Sequence, residues 1–89
     1  MRDRYYQYLV EQGYKEYTPS GLKSTVYSYC VKMNIVCEME NMTWEQLAEH
    51  IDEIIPKYDK GGIYEDIGNK SRRTCINALK AYSDFVKQL

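Results

Sequence analysis

The apolar side chains Cys75, Ala78, Leu79, Tyr82, Phe85, Val86 and Leu89 are spaced by three, one, three, three, one and three residues, the period of a single helical face. So long a stripe commits residues 70–88 to a helix, and a helix with one apolar face must bury it against other elements. Three shorter segments carry the same period. Residues 3–12 hold Tyr5, Tyr6, Tyr8, Leu9 and Val10 and end at Gly13. Residues 19–33 hold Leu22, Val26, Tyr29, Cys30 and Met33 on one face, with Thr18 as the cap and Pro19 in the first helical position. Asn34 is the expected stop, and Ile35-Val36-Cys37 the expected site of a short extended piece. Residues 43–58 open with Thr43 and Gln46 at capping-box spacing, carry Trp44, Leu47, Ile51, Ile54, Ile55 and Tyr58, and should end or kink at Pro56. Residues 57–69, with Gly61, Gly62 and Gly68, read as a loop with one short turn near Tyr64-Glu65-Asp66. No segment alternates with period two between hairpin dipeptides. The expected fold is all-α: a compact four-helix bundle forming a single domain over residues 1–89.

A chain of 89 residues with 44% hydrophobic side chains builds one core. It has no run of 18 apolar residues, hence no expected membrane span, and no basic segment followed by an apolar one at its start, so it is expected to be cytoplasmic. Cys30, Cys37 and Cys75 form an odd set without C-x-x-C spacing, and with His50 as the single histidine they give no zinc arithmetic; reduced thiols are expected. Gly61-Gly62 lacks the ending of a phosphate loop, and Glu65 and Asp66 lack metal-loop spacing, so no cofactor or metal is expected. Tyr29, Tyr58 and Tyr82, three of the ten tyrosines, fall at core spacing, where packing explains them. His50 lies beside Glu49 and near Glu53 with no nucleophile in reach. The chain reads as a non-enzyme.

A net charge of −1 excludes a protein that coats nucleic acid by bulk charge. The charge is nonetheless divided. Glu38, Glu40, Glu45, Glu49, Asp52 and Glu53 fall in a stretch without Lys or Arg, whereas Lys70, Arg72, Arg73, Lys80 and Lys87 face only Asp84 in the last segment. At 100° per residue, Arg73, Asn77, Lys80, Asp84 and Lys87 form one stripe, with Lys70, Arg72 and Thr74 clustered at the segment's start. Lysine and arginine there suit phosphates, and asparagine can pair with a base edge. The outer face of the second segment offers Ser20, Lys23, Ser24, Tyr27 and Ser28, side chains compatible with a close sugar-phosphate surface.

The order of these features resembles the amino-terminal core-binding, or SAM-like, domain of tyrosine recombinases and phage integrases. The resemblance is carried by Tyr8-Leu9-Val10-Glu11-Gln12-Gly13, then Tyr17-Thr18-Pro19 with the face of Leu22, Val26 and Tyr29. Thr43-Trp44-Glu45-Gln46-Leu47 follows, and the final stretch begins Ser71-Arg72-Arg73-Thr74-Cys75-Ile76-Asn77-Ala78-Leu79-Lys80-Ala81-Tyr82. It spans nearly the whole chain. It implies a module that positions duplex DNA through its second and fourth helices, with contacts at Thr18, Ser20, Lys23, Ser24, Tyr27, Lys70, Arg72, Arg73, Thr74, Asn77 and Lys80. It also implies that recombination chemistry belongs to a separate catalytic domain, which this chain lacks and which, like another protein, is a further partner. A different class of function suits the acidic stretch: a small helical interaction or inhibitor protein, encoded by a phage or mobile element, that engages a basic protein partner.

Overall fold

The computed structural model describes residues 1–89. Five helices and no strands are present: α1 (Arg2–Glu11), α2 (Thr25–Glu40), α3 (Trp44–Glu49), α4 (Ile51–Tyr58) and α5 (Glu65–Lys87). The all-α class is as expected; the helix count is five rather than four. No helix is long and apolar enough to cross a membrane.

α5 is the hub, packed against all four other helices and most extensively against α4 and α2. Its stripe, from Cys75 and Ala78 through Leu79, Tyr82 and Phe85, is buried together with Ile76 and Ala81. Around it α1 contributes Tyr5 and Leu9, α2 contributes Val26, Cys30, Met33 and Val36, and α4 contributes Ile51, Ile54 and Tyr58. An aromatic cluster locks one end of this core. The Tyr5 ring lies 5.2 Å from Tyr82 at a right angle and 5.6 Å from Trp44. The polar tips in this cluster are satisfied: the Tyr5 hydroxyl donates to the Ala78 carbonyl (2.9 Å), the Tyr82 hydroxyl to the Trp44 carbonyl (2.6 Å), and the Trp44 indole N–H to Asn34 Oδ1 (3.0 Å).

Four local expectations are corrected. Thr18 and Pro19 do not start a helix. They form a β-turn in which the Gly21 N–H donates to the Thr18 carbonyl (2.9 Å), and an antiparallel bridge joins Tyr17 to Lys23 below it. Proline second and glycine fourth is turn chemistry as much as Thr-Pro is cap chemistry, and Gly21 with φ +87° resolves the choice. Leu22, expected in the core, is consequently 68% exposed. α2 begins instead at Thr25 and runs through Asn34, so the extended piece at Ile35-Val36-Cys37 is helical, and the stop is Asn41 in the left-handed conformation (φ 54°, ψ 48°).

The third segment keeps its capping box: Gln46 N–H donates to Thr43 Oγ1 (3.1 Å) and Thr43 N–H to Gln46 Oε1 (2.9 Å). It then breaks at His50 (φ −117°, ψ 15°) into α3 and α4, while Pro56 sits inside α4 two residues before its end. Finally, α5 starts at Glu65 rather than near 70. Residues 70–73 leave the right-handed helix: Lys70 is extended and Ser71, Arg72 and Arg73 are all left-handed (φ 55°, 61° and 64°). Left-handed backbone costs an L-residue about 1–2 kcal/mol, so packing on both sides must impose this turn. One such constraint is visible at Gly68, where an added Cβ would overlap the Tyr58 carbonyl. Only glycine lets the first turn of α5 approach α4 this closely.

Candidate nucleic-acid interface

The left-handed turn brings the start of the regular part of α5 beside the start of α2. Between them lies a concavity of about 420 Å³. Lys23, Ser24, Thr25 and Ser28 form one wall, Arg72, Thr74 and Asn77 the other, and Tyr29 closes the floor. A second depression of about 290 Å³ shares Lys23, Ser28 and Thr74 with it and extends along α2 to Tyr27, Val31 and Lys32, with Ser71 on the opposite side. Neither depression is lined by a carboxylate. Lys23, Lys32 and Arg72 take part in no ion pair. Ser24 stands at the N-cap of α2 with extended backbone and makes no side-chain capping bond, so the positive end of the helix dipole reaches the same space.

A tyrosine wall flanks the concavity. Lys23 Nζ lies 5.1 Å from the centre of the Tyr27 ring. The Tyr27 ring packs 5.5 Å from both Tyr6 and Tyr17, and the Tyr17 and Tyr27 hydroxyls are 2.9 Å apart. The hydrogen bond with the Tyr17 hydroxyl is the largest effect holding the Tyr27 phenol below its ordinary pKa, and Lys23 adds to it. Tyr6 donates to Glu16 Oε1 (2.5 Å), and this bond holds its own proton more tightly.

Of the residues expected to contact DNA, Lys23, Ser24, Tyr27, Arg72, Thr74 and Asn77 line these two depressions. Thr18 and Ser20 sit in the turn that leads into Lys23, their hydroxyls 3.0 Å apart. Lys70 is exposed at the break in α5 without lining either space. Arg73 and Lys80 are turned elsewhere: Arg73 Nη2 donates to Asp59 Oδ1 (3.0 Å) and Lys80 Nζ forms an ion pair with Asp59 Oδ2 (3.3 Å). The expected basic stripe is therefore divided, part lining the concavity and part neutralised at the end of α4. Thr25, Lys32, Ser71 and Asp59 were not anticipated. Lys32 lies one turn from Ser28 within the helix already expected over residues 19–33, so helical spacing was the signal that could have revealed it.

The acidic stretch stays largely open. Glu40 is the exception: it is drawn inward, where it accepts from Lys57 Nζ (2.7 Å) and the Tyr58 hydroxyl (2.9 Å). Glu38, Glu45, Glu49, Asp52 and Glu53 are exposed on α2, α3 and α4, with only long contacts such as Asp52 to Lys87 at 3.9 Å. No family model, curated protein or solved structure matches the chain.

Proposed function

We propose that this protein is a DNA-binding module that positions duplex DNA and performs no chemistry on it, in the manner of the core-binding domain of a tyrosine recombinase. One observation carries the reading. In a chain of net charge −1, the space between α2 and α5 gathers unpaired Lys23 and Arg72, the hydroxyls of Ser24, Thr25, Ser28 and Thr74, and the Asn77 amide, with no carboxylate among them. Lysine, arginine and hydroxyls suit phosphate oxygens, and an asparagine among them suits the N6/N7 edge of adenine. With Lys23, Lys32 and Arg72 as the cations of this surface, about three phosphates are neutralised, so the logarithm of the binding constant should fall against that of salt with a slope of about −3. Fluorescence anisotropy with a labelled duplex measures it. No binding at low salt with tens of micromolar protein would reject the reading.

A second reading draws on the five exposed carboxylates of α2, α3 and α4, which suit a basic protein partner. Co-purification after nuclease treatment separates the two. A partner kept once nucleic acid is destroyed favours protein recognition.

A further inference from the structure

Resting on the reading above, we infer that Asp59 is a specificity-determining residue that competes with DNA phosphate for Arg73 and Lys80 and so restrains sequence-independent binding. Asp59 caps the end of α4. Both of its oxygens are engaged as the two free oxygens of a phosphodiester would be: Oδ1 accepts from the Lys60 N–H (2.9 Å) and Arg73 Nη2 (3.0 Å), and Oδ2 is ion-paired with Lys80 Nζ (3.3 Å). The Lys60 N–H first, and then Lys80, hold the carboxyl below the usual carboxylate range, so it stays charged wherever duplex DNA is stable.

Asn77 lines the concavity and Lys80 follows it at helical spacing, while Arg73 reaches Asp59 from the left-handed turn that precedes the regular helix. Arg73 and Lys80 are thus occupied by an internal anion, while Lys23 and Arg72 are open. Arg73 and Lys80 remain 39% and 51% exposed, so a phosphate can reach them by displacing the carboxylate. Ion pairs this exposed hold the fold only weakly. Their consequence lies in what they withhold: phosphate contacts add affinity for any duplex, whereas base-edge groups such as Asn77 discriminate among sequences.

The test compares the wild-type chain, Asp59→Asn, the pair Arg73→Ala with Lys80→Ala, and all three changes combined. Each is titrated with a mixed-sequence duplex of about two helical turns, between about 50 and 200 mM salt, after circular dichroism confirms the fold. Two freed cations should steepen the salt slope of Asp59→Asn by about 1.8, so that it binds more tightly at low salt and loses about tenfold more affinity than wild type across that range. Removing Arg73 and Lys80 should abolish that gain, yet change wild-type affinity by no more than about twofold. An unchanged slope in Asp59→Asn overturns the inference and leaves the DNA reading standing. So does a large loss from the Arg73 and Lys80 pair in the wild-type background, a comparison that decides the matter even if Asp59→Asn does not fold. Absence of binding by every variant at low salt rejects the DNA reading and this inference with it.

Discussion

The two ends of α5 are built on opposite principles. From Cys75 to Phe85 the helix is regular, and its apolar face is buried under rings from α1, α3 and α5 itself. At residues 70–73 it is broken and basic, with Lys70 extended, Ser71, Arg72 and Arg73 left-handed and all but Arg73 exposed, held by neighbours rather than by its own propensity. Stability is thus concentrated at one end and the candidate interface at the other. Substitutions at the first should register in folding, and substitutions at the second in binding.

Tyr82→Ala offers the harshest challenge to that division. It removes a buried ring in contact with Tyr5, Trp44 and Phe85 and leaves the Trp44 carbonyl without its donor. Urea denaturation should show a loss of about 3–5 kcal/mol, and a loss below about 1 kcal/mol would mean that stability resides elsewhere. Gly68→Ala comes next. Its methyl group meets the Tyr58 carbonyl, and the displacement of α4 from the first turn of α5 should cost about 2–3 kcal/mol in the same measurement. That result would show that the broken end is anchored by one close approach.

Lys23→Ala combined with Arg72→Ala should do the reverse, weakening duplex binding about tenfold at low salt while leaving stability within about 0.5 kcal/mol of wild type. A thermal melt that fell with the affinity would blur the contrast between the two ends. The smallest effect is expected from Ser71→Gly, which relieves one left-handed position (φ 55°) but loosens the unfolded chain. The net gain should be about 0.5–1 kcal/mol, read as a modest rise in melting temperature.

The sequence was most informative where short-range rules and burial agree. The stripe from Cys75 to Phe85, the Thr43 and Gln46 box, and the inward-facing Val26, Tyr29, Cys30 and Met33 all follow from helical period and cap chemistry, and all are present. It misled where one local signal serves two structures. Thr18-Pro19 can cap a helix or enter a turn, and the bridge that selects the turn involves Lys23, beyond the window of a cap rule. Asparagine ends many helices, but the Asn34 side chain accepts from an indole ten residues away and the helix runs on. Nothing in Ser71-Arg72-Arg73 announces left-handed backbone, and the visible constraint beside it, Gly68 against α4, is tertiary.

The candidate interface shows the same boundary. Helical geometry placed Arg73, Asn77 and Lys80 on one stripe, but what a stripe faces is decided by chain folding. Asp59 reaches it from the end of another helix. Lys23 and Arg72, nearly fifty positions apart, meet across the concavity only because α2 starts late and α5 is broken.

The turn between Tyr17 and Lys23 satisfies its own polar groups: the Thr18 N–H reaches the Leu22 carbonyl (2.8 Å), and the Leu22 N–H reaches Thr18 Oγ1 (3.1 Å). A segment closed on itself in this way borrows little from the scaffold beneath. Lineages could lengthen, shorten or exchange its tip without refolding the rest, which makes it the natural place for this chain to vary.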